Sequence, residues 1–356
     1  MRVAIDSGPL TGEDAVRGVG TYARELTTAL MEEPHFAKAT RGKLVIEAVD
    51  FKRADLSKYD LLHYPYFAPF FLTLPLSKKT KFVVTIHDLI PLIYPENYPP
   101  GLRGKLKFLV QKNLIRNASG VIAISETTKK DIVRFLGIPA QKIEVIYEAP
   151  AKIFRKLPHG SWKLQIKKKF NLPSHFVLYV GDVNYNKNIA GLADACKIGN
   201  FPLVMVGKSL KAKDFDASNV ENRSFRDFLE KYATDPNVIR LGYLDGEDLL
   251  AVYNLATVYC QPSFYEGFGL PVLEAFSCGT PVVAAKTQAL VEVGGEAALF
   301  ADPKEPKDIA EKIETLFSNS ELRARLIREG WERAKDFSWE KAAKETINYY
   351  KKALEG

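Results

Sequence analysis

Cysteine is scarce in this chain: Cys196, Cys260 and Cys278 are the only three among 356 residues. They are too scattered for a metal cluster. An odd number also leaves one thiol outside any disulfide scheme, which points to a reducing compartment. Long apolar runs are missing as well, since none approaches the roughly 20 residues that a bilayer-spanning helix needs. The opening Met1-Arg-Val-Ala-Ile-Asp6 enters a strand directly and lacks a signal-peptide pattern. These gaps set the expectation of a cytoplasmic protein. No repeat of 20–50 residues is visible. Between Asn97 and Ser125 acidic residues are absent, while Arg103, Lys105, Lys107, Lys112 and Arg116 are present.

What remains is ordinary for a soluble globular chain, with 46% hydrophobic and 26% charged residues. The length suffices for two domains with ample cores. The net charge of +7 is uneven. Residues 1–160 carry 24 Lys/Arg against 16 Asp/Glu, and the remainder 26 against 27. A basic first half suits an acidic partner, either anionic lipid or a phosphate-bearing substrate, or is a solvated surface without one. No motif supports nucleic acid. In the acid-free stretch, Leu102, Leu106, Leu109, Val110 and Leu114 interleave with the cations. This predicts a basic amphipathic helix over 101–116, which either lies on an anionic membrane surface or turns its leucines to the core.

The most informative stretch runs from Pro262 to Val283. The apolar run Thr257–Gln261 reads as a strand ending just before it. Pro271 suits the first turn of a helix, where a missing N–H costs nothing. Cys278-Gly279 stops that helix, and 280–285 resumes a strand. The loop between holds Glu266, Gly267, Phe268, Gly269 and Leu270, with Glu274 about one turn into the helix. Free N–H groups at a helix start, approached closely through glycines, form an anion site suited to phosphate.

Elsewhere, apolar runs alternate with helical patterns. Val3–Ile5, 44–49, 60–64, Phe82–Ile86, Val121–Ser125 and Ile143–Tyr147 read as strands of a first series. His175–Gly181, Leu203–Gly207, Val238–Gly242, Thr257–Gln261 and 280–285 form a second. Arg17-Gly-Val-Gly-Thr21 leads into a helix but has too few glycines for a dinucleotide fingerprint. The aromatic segment 64–71 is read as a loop packed at a domain edge, with an acceptor pocket as the alternative. Ser125 is a candidate helix cap. His87 follows the buried run 82–86, where ligands of open parallel sheets bind, and an imidazole there can hydrogen-bond a sugar hydroxyl or reacting oxygen near neutral pH.

The Glu266–Glu274 pair, set within Glu-Gly-Phe-Gly-Leu-Pro, closely resembles the nucleotide-sugar site of family 4 retaining glycosyltransferases. The resemblance implies that Glu266 contacts the donor sugar and Glu274 the nucleotide ribose. Lys187, with peptide N–H groups from Gly267 through Phe268, Gly269 and Leu270, would neutralise the diphosphate without a metal. Thr85-Ile-His-Asp-Leu-Ile-Pro-Leu92 is similar to the family's active-site strand, which puts His87 at the reaction centre. Gly18 and Gly20 occupy the place of a loop that contacts donor or acceptor. Lys187-Asn188 resembles the family's phosphate-facing step, although the arginine of many relatives is absent at Asn186 and at Asp182. Ser338-Trp339 marks a last helix that in relatives returns to the first domain.

Together these features predict the GT-B class of α/β fold: two doubly wound, parallel-sheet, Rossmann-like domains facing across a cleft. Residues 1–155, joined by the helix 340–356, would form the acceptor-side domain, and 156–339 the nucleotide-sugar domain. The expected enzyme moves a hexose from a nucleoside diphosphate sugar to a hydroxyl of a glycan or lipid-linked acceptor. The Gly-Val-Gly-Thr-Tyr and Val-Gly-Gly-Glu-Ala-Ala segments resemble mannosyltransferases, which favours GDP-mannose, with a UDP-sugar as the alternative donor. No cofactor or metal is expected. Competing readings are a sugar-nucleotide epimerase or phosphorylase on the same fold, and a non-catalytic subunit. Retention of both glutamates, Lys187 and His87 speaks against the last.

Overall fold

Runs of β-branched and aliphatic residues too short for buried helices become strands covered on both faces. The computed structural model describes residues 1–11, 18–32, 44–76, 80–212 and 215–355. Arg17, part of the first glycine motif, lies outside them, as does Gly356.

Among the described residues, six strands make the first sheet: β1 (Arg2–Asp6), β2 (Val45–Val49), β3 (Leu61–Tyr64), β4 (Lys81–Ile86), β5 (Gly120–Ala123) and β6 (Ile143–Val145). All its pairings are parallel, in the order β2-β1-β3-β4-β5-β6. The second sheet holds β7 (Val177–Val180), β8 (Leu203–Val206), β9 (Val238–Gly242), β10 (Val258–Gln261), β11 (Val282–Ala285) and β12 (Ala298–Ala301). Its order is β12-β11-β10-β7-β8-β9, again parallel throughout. The strand order reverses between β1 and β3 in one sheet and between β7 and β10 in the other. In open parallel sheets the crevice at such a reversal, outside the carboxyl ends of the strands, receives the ligand.

The chain divides into two units, Met1–Ala149 with Phe337–Gly356, and Pro150–Asp336. Each has its own core. Val84, Ile86, Val121 and Ile132 lie in the first, and Val177, Tyr179, Leu203, Phe225 and Ile313 in the second. All three cysteines are buried and free.

The last helix, Trp339–Glu355, belongs to the first unit through specific contacts. The Tyr349 hydroxyl accepts from the Val121 amide at 2.9 Å and donates to the Lys142 carbonyl at 2.6 Å. Tyr350 Oη meets His63 Nδ1 at 2.6 Å. A Cβ on Gly120 would lie 2.6 Å from Tyr349 Oη, so a side chain there would push this helix off β5.

The basic helix forms over Gly101–Ile115, but its buried side is not the leucine side. Gly104, Gln111 and Ile115 face inward. The Gln111 amide donates to the Ala68 carbonyl and to Thr73 Oγ1 and accepts from the Leu74 amide, pinning the preceding loop. Leu102 is 78% exposed and Leu109 62%. Among the described residues no helix is long and apolar enough to cross a membrane.

Candidate active site

Strand β7 delivers the first half of a charged cluster in the second unit. After Gly181 the chain makes a tight turn over Tyr185–Lys187, and Asn188 adopts φ +53°, a left-handed conformation that asparagine tolerates better than most residues. The Asn188 amide then donates to the carbonyls of Pro262 (3.0 Å) and Pro303 (2.7 Å). Asn186, standing where an arginine was expected, is buried and donates to the Tyr265 carbonyl at 3.0 Å. The Phe264 amide in turn donates to the Asn186 carbonyl. The two asparagines therefore lace the loop after β7 onto the loop after β10, and the strand pairing puts these loops side by side.

This lacing sets Lys187 against Glu266. The lysine Nζ lies 2.8 Å from each carboxylate oxygen. Glu266 is only 7% exposed, so its charge needs partners. Oε1 also accepts from Gln261 Nε2 (2.7 Å) and Ser263 Oγ (2.6 Å), both buried. Tyr259 hydrogen-bonds Gln261 from behind. Oε1 is thus saturated, whereas Oε2 receives Lys187 alone among the hydrogen bonds described.

Gly269 follows with φ +121°, and a Cβ there would come within 2.7 Å of Leu290 Cδ2. Only glycine fits this entry to the helix Leu270–Cys278, whose first turn holds Pro271. Phe268 is buried and anchors the loop. Glu274, one turn in, accepts a 2.8 Å hydrogen bond from Tyr253 Oη. Burial pushes its carboxyl up to about 7, with the Tyr253 bond pulling the other way.

In the first unit, His87 stands just past β4. Its Nε2 lies 3.0 Å from the Pro65 carbonyl oxygen, and its Nδ1 2.9 Å from Glu148 Oε1. Tyr22 packs edge-on against the ring, with centroids 4.7 Å apart. Tyr22 comes from the helix Gly18–Glu32, in whose first turn Gly18 and Gly20 sit. A Cβ on Gly18 would meet open space. Burial acts to lower the His87 pKa, but the close approach and charge of Glu148 lead a set of opposing effects that raises it overall.

The structure thus brings Lys187 and Glu266 into direct contact and gives Glu274 a separate partner in Tyr253. Sequence reasoning missed Gln261, Ser263, Tyr253 and Glu148. Gln261 and Ser263 carry a faint signal, as polar residues closing an apolar run. Glu148 carries none, because its partner is 61 positions away. Among the described residues no group of three His, Cys, Asp or Glu side chains gathers closely enough to hold a metal ion.

Two doubly wound parallel sheets, with this cluster at the carboxyl ends of β7 and β10, define the GT-B class of glycosyltransferase. The family profile "Glycosyl transferases group 1" matches residues 161–333, and "Glycosyltransferase Family 4" matches 34–149. The O-antigen chain mannosyltransferase B of Escherichia coli is 32% identical over 325 residues, covering 87% of this chain and 81% of that protein. This chain belongs to the family 4, group 1 glycosyltransferases. The serotype-specific mannosyltransferase WbdA of Escherichia coli is 29% identical over 281 residues, 77% of this chain but only 34% of that longer protein. Among solved structures, sucrose-phosphate synthase from Thermosynechococcus elongatus superposes with a TM-score of 0.74 at 23% identity, covering 99% of this chain and 98% of that one. HepE from Anabaena, in complex with UDP-glucose, gives 0.71 at 17%, covering 99% of both chains.

Proposed function

We propose that this glycosyltransferase moves a hexose, mannose in the first instance, from a nucleoside diphosphate sugar to a hydroxyl of a glycan or lipid-linked acceptor, with retention at the anomeric carbon. The Lys187–Glu266 pair at the strand-order reversal carries the reading. A lysine ammonium has three N–H donors, and two are directed at Glu266. The third serves a phosphate oxygen, while Glu266 Oε2 accepts from a sugar hydroxyl. Lys187 and the amides from Gly267 onward would offset the charge that grows on the departing diphosphate, a preorganised electrostatic contribution that needs no metal. Glu274 would hold the ribose hydroxyls. Asn188 contributes by fixing the loop that carries Lys187, and Gly18 and Gly20 by letting a ligand approach the start of their helix. The mannosyltransferase relatives support mannose, and GDP-mannose is the donor to try before UDP-sugars.

The reading is tested by incubating the chain with GDP-mannose, UDP-glucose and ADP-glucose, with and without lipid-linked glycan acceptors. Release of nucleoside diphosphate should need the acceptor, and Glu266→Gln should cut it by about 100-fold or more. Acceptor-independent conversion of the sugar itself would favour an epimerase.

We also assign an anionic membrane surface as a partner of the helix Gly101–Ile115. Phe71, Leu72 and Leu76 are exposed like the helix leucines, and Lys107 lies over the Phe71 ring at 5.5 Å. Apolar side chains flanked by Arg103, Lys105 and Lys112, with no acidic residue nearby in sequence, match the chemistry of an anionic interface.

A further inference from the structure

The contacts of His87 fix its protons. Pro65 offers a carbonyl oxygen, which only accepts, so Nε2 must carry a hydrogen. Nδ1 faces Glu148 Oε1 at 2.9 Å, and that buried oxygen has no other polar partner among the described residues, so the ring is the one group placed to supply it with a proton. Glu148 is 6% exposed and reaches His87 from the chain leaving β6. A carboxylate so removed from water persists only beside a cation.

We propose that Glu148 is the positioning residue that keeps His87 doubly protonated at neutral pH, making it a fixed cation at the carboxyl end of β4 rather than a proton carrier. The remaining groups around the ring agree. Asp88, next in sequence, adds negative charge and also accepts from the Ile90 amide. His63 on β3 is held neutral by burial and by the charge of His87, its pKa lowered to about 3, and its nitrogens meet Tyr350 Oη and Thr85 Oγ1. Tyr22 packs by its ring, and burial raises its hydroxyl pKa, so it brings no charge.

The inference rests on the proposed function only in placing His87 at the reacting face, and its test has a readout independent of turnover. The whole chain, labelled at the ring carbons of its five histidines, is titrated by NMR, with His87 assigned by the resonance missing in His87→Asn. The wild-type midpoint should lie above the ordinary value of about 6.5. Glu148→Gln, which keeps the shape, should lower it by about one unit or more. Glu148→Asp should restore part of the shift. The alkaline limb of the transfer rate should move down with the midpoint. A wild-type midpoint at or below about 6.5 overturns the proposal even if no variant folds. So does a midpoint or an alkaline limb that Glu148→Gln leaves in place. A midpoint that moves as expected in a chain that turns over no nucleotide sugar upholds the pairing and counts against the proposed function instead.

Discussion

Lys187 and Glu266 illustrate how a charge is kept in a nearly dry place. The carboxylate has one ionic partner and two neutral donors, so removing the lysine leaves a buried charge held only by Gln261 and Ser263. Lys187→Ala should therefore destabilise the second unit by about 3 kcal/mol. The double variant with Glu266→Gln should recover part of that loss in denaturant unfolding. Glu274 differs, because no cation faces it in the contacts described and burial raises its pKa to about 7. A raised carboxyl pKa means that the folded state holds the proton up to near neutrality, while the unfolded chain releases it at about 4.5. Stability from this group accordingly falls as pH rises from about 4.5 toward 7. In the proposed role donor binding runs the other way, since a Glu274 carboxylate can accept from ribose hydroxyls with both oxygens, whereas the acid turns one of them into a donor. The donor KM should rise as pH drops below about 7, and Glu274→Gln should flatten that dependence. A KM independent of pH between 6 and 8 in the wild type would contradict the ribose role.

Among the elements, the helix Leu270–Cys278 was the most legible. Pro271 and Cys278-Gly279 give its ends directly, and Gly279 takes the left-handed conformation that such an ending needs. Ser125 likewise caps its helix, accepting from the Thr128 amide at 2.9 Å. Both depend on neighbours in sequence. The basic helix shows the limit. Its leucines suggested two possible faces, and the choice depended on Gln111 and its three long-range partners, which no local periodicity encodes. Glu148 is the same lesson at the site: an acid after an apolar run looks solvated until the fold carries it to His87. Gly269 makes a test at this scale. Gly269→Ala meets both a forbidden φ and Leu290, so it should cost about 1–3 kcal/mol and lower the melting temperature. An unchanged melting temperature would mean that the loop before the helix is not held as described.

At the scale of the molecule, the parallel sheets were legible because strands buried on both faces read as unbroken apolar runs. The division between units was less so: it falls at Ala149/Pro150 and Asp336/Phe337, rather than at 155 and 339. The return of the last helix to the first unit depends on Tyr349 and Tyr350 finding Val121, Lys142 and His63, contacts that spacing cannot reveal. The exposed leucines of the basic helix predict behaviour of the whole chain. Leu106→Ser with Leu109→Ser should reduce co-sedimentation with vesicles containing phosphatidylglycerol while leaving turnover of a soluble acceptor unchanged. Sedimentation equal to that of the wild type would remove the membrane from the account.

The central claim is that Glu266 grips the sugar while Lys187 grips the phosphates. Calorimetry of the wild type and Glu266→Gln, each with the nucleotide sugar and with the bare nucleoside diphosphate, separates the two directly. The wild type should bind the sugar nucleotide more tightly, and the variant should lose that preference while still binding the diphosphate. A variant that weakens both ligands equally, or neither, would contradict the assignment.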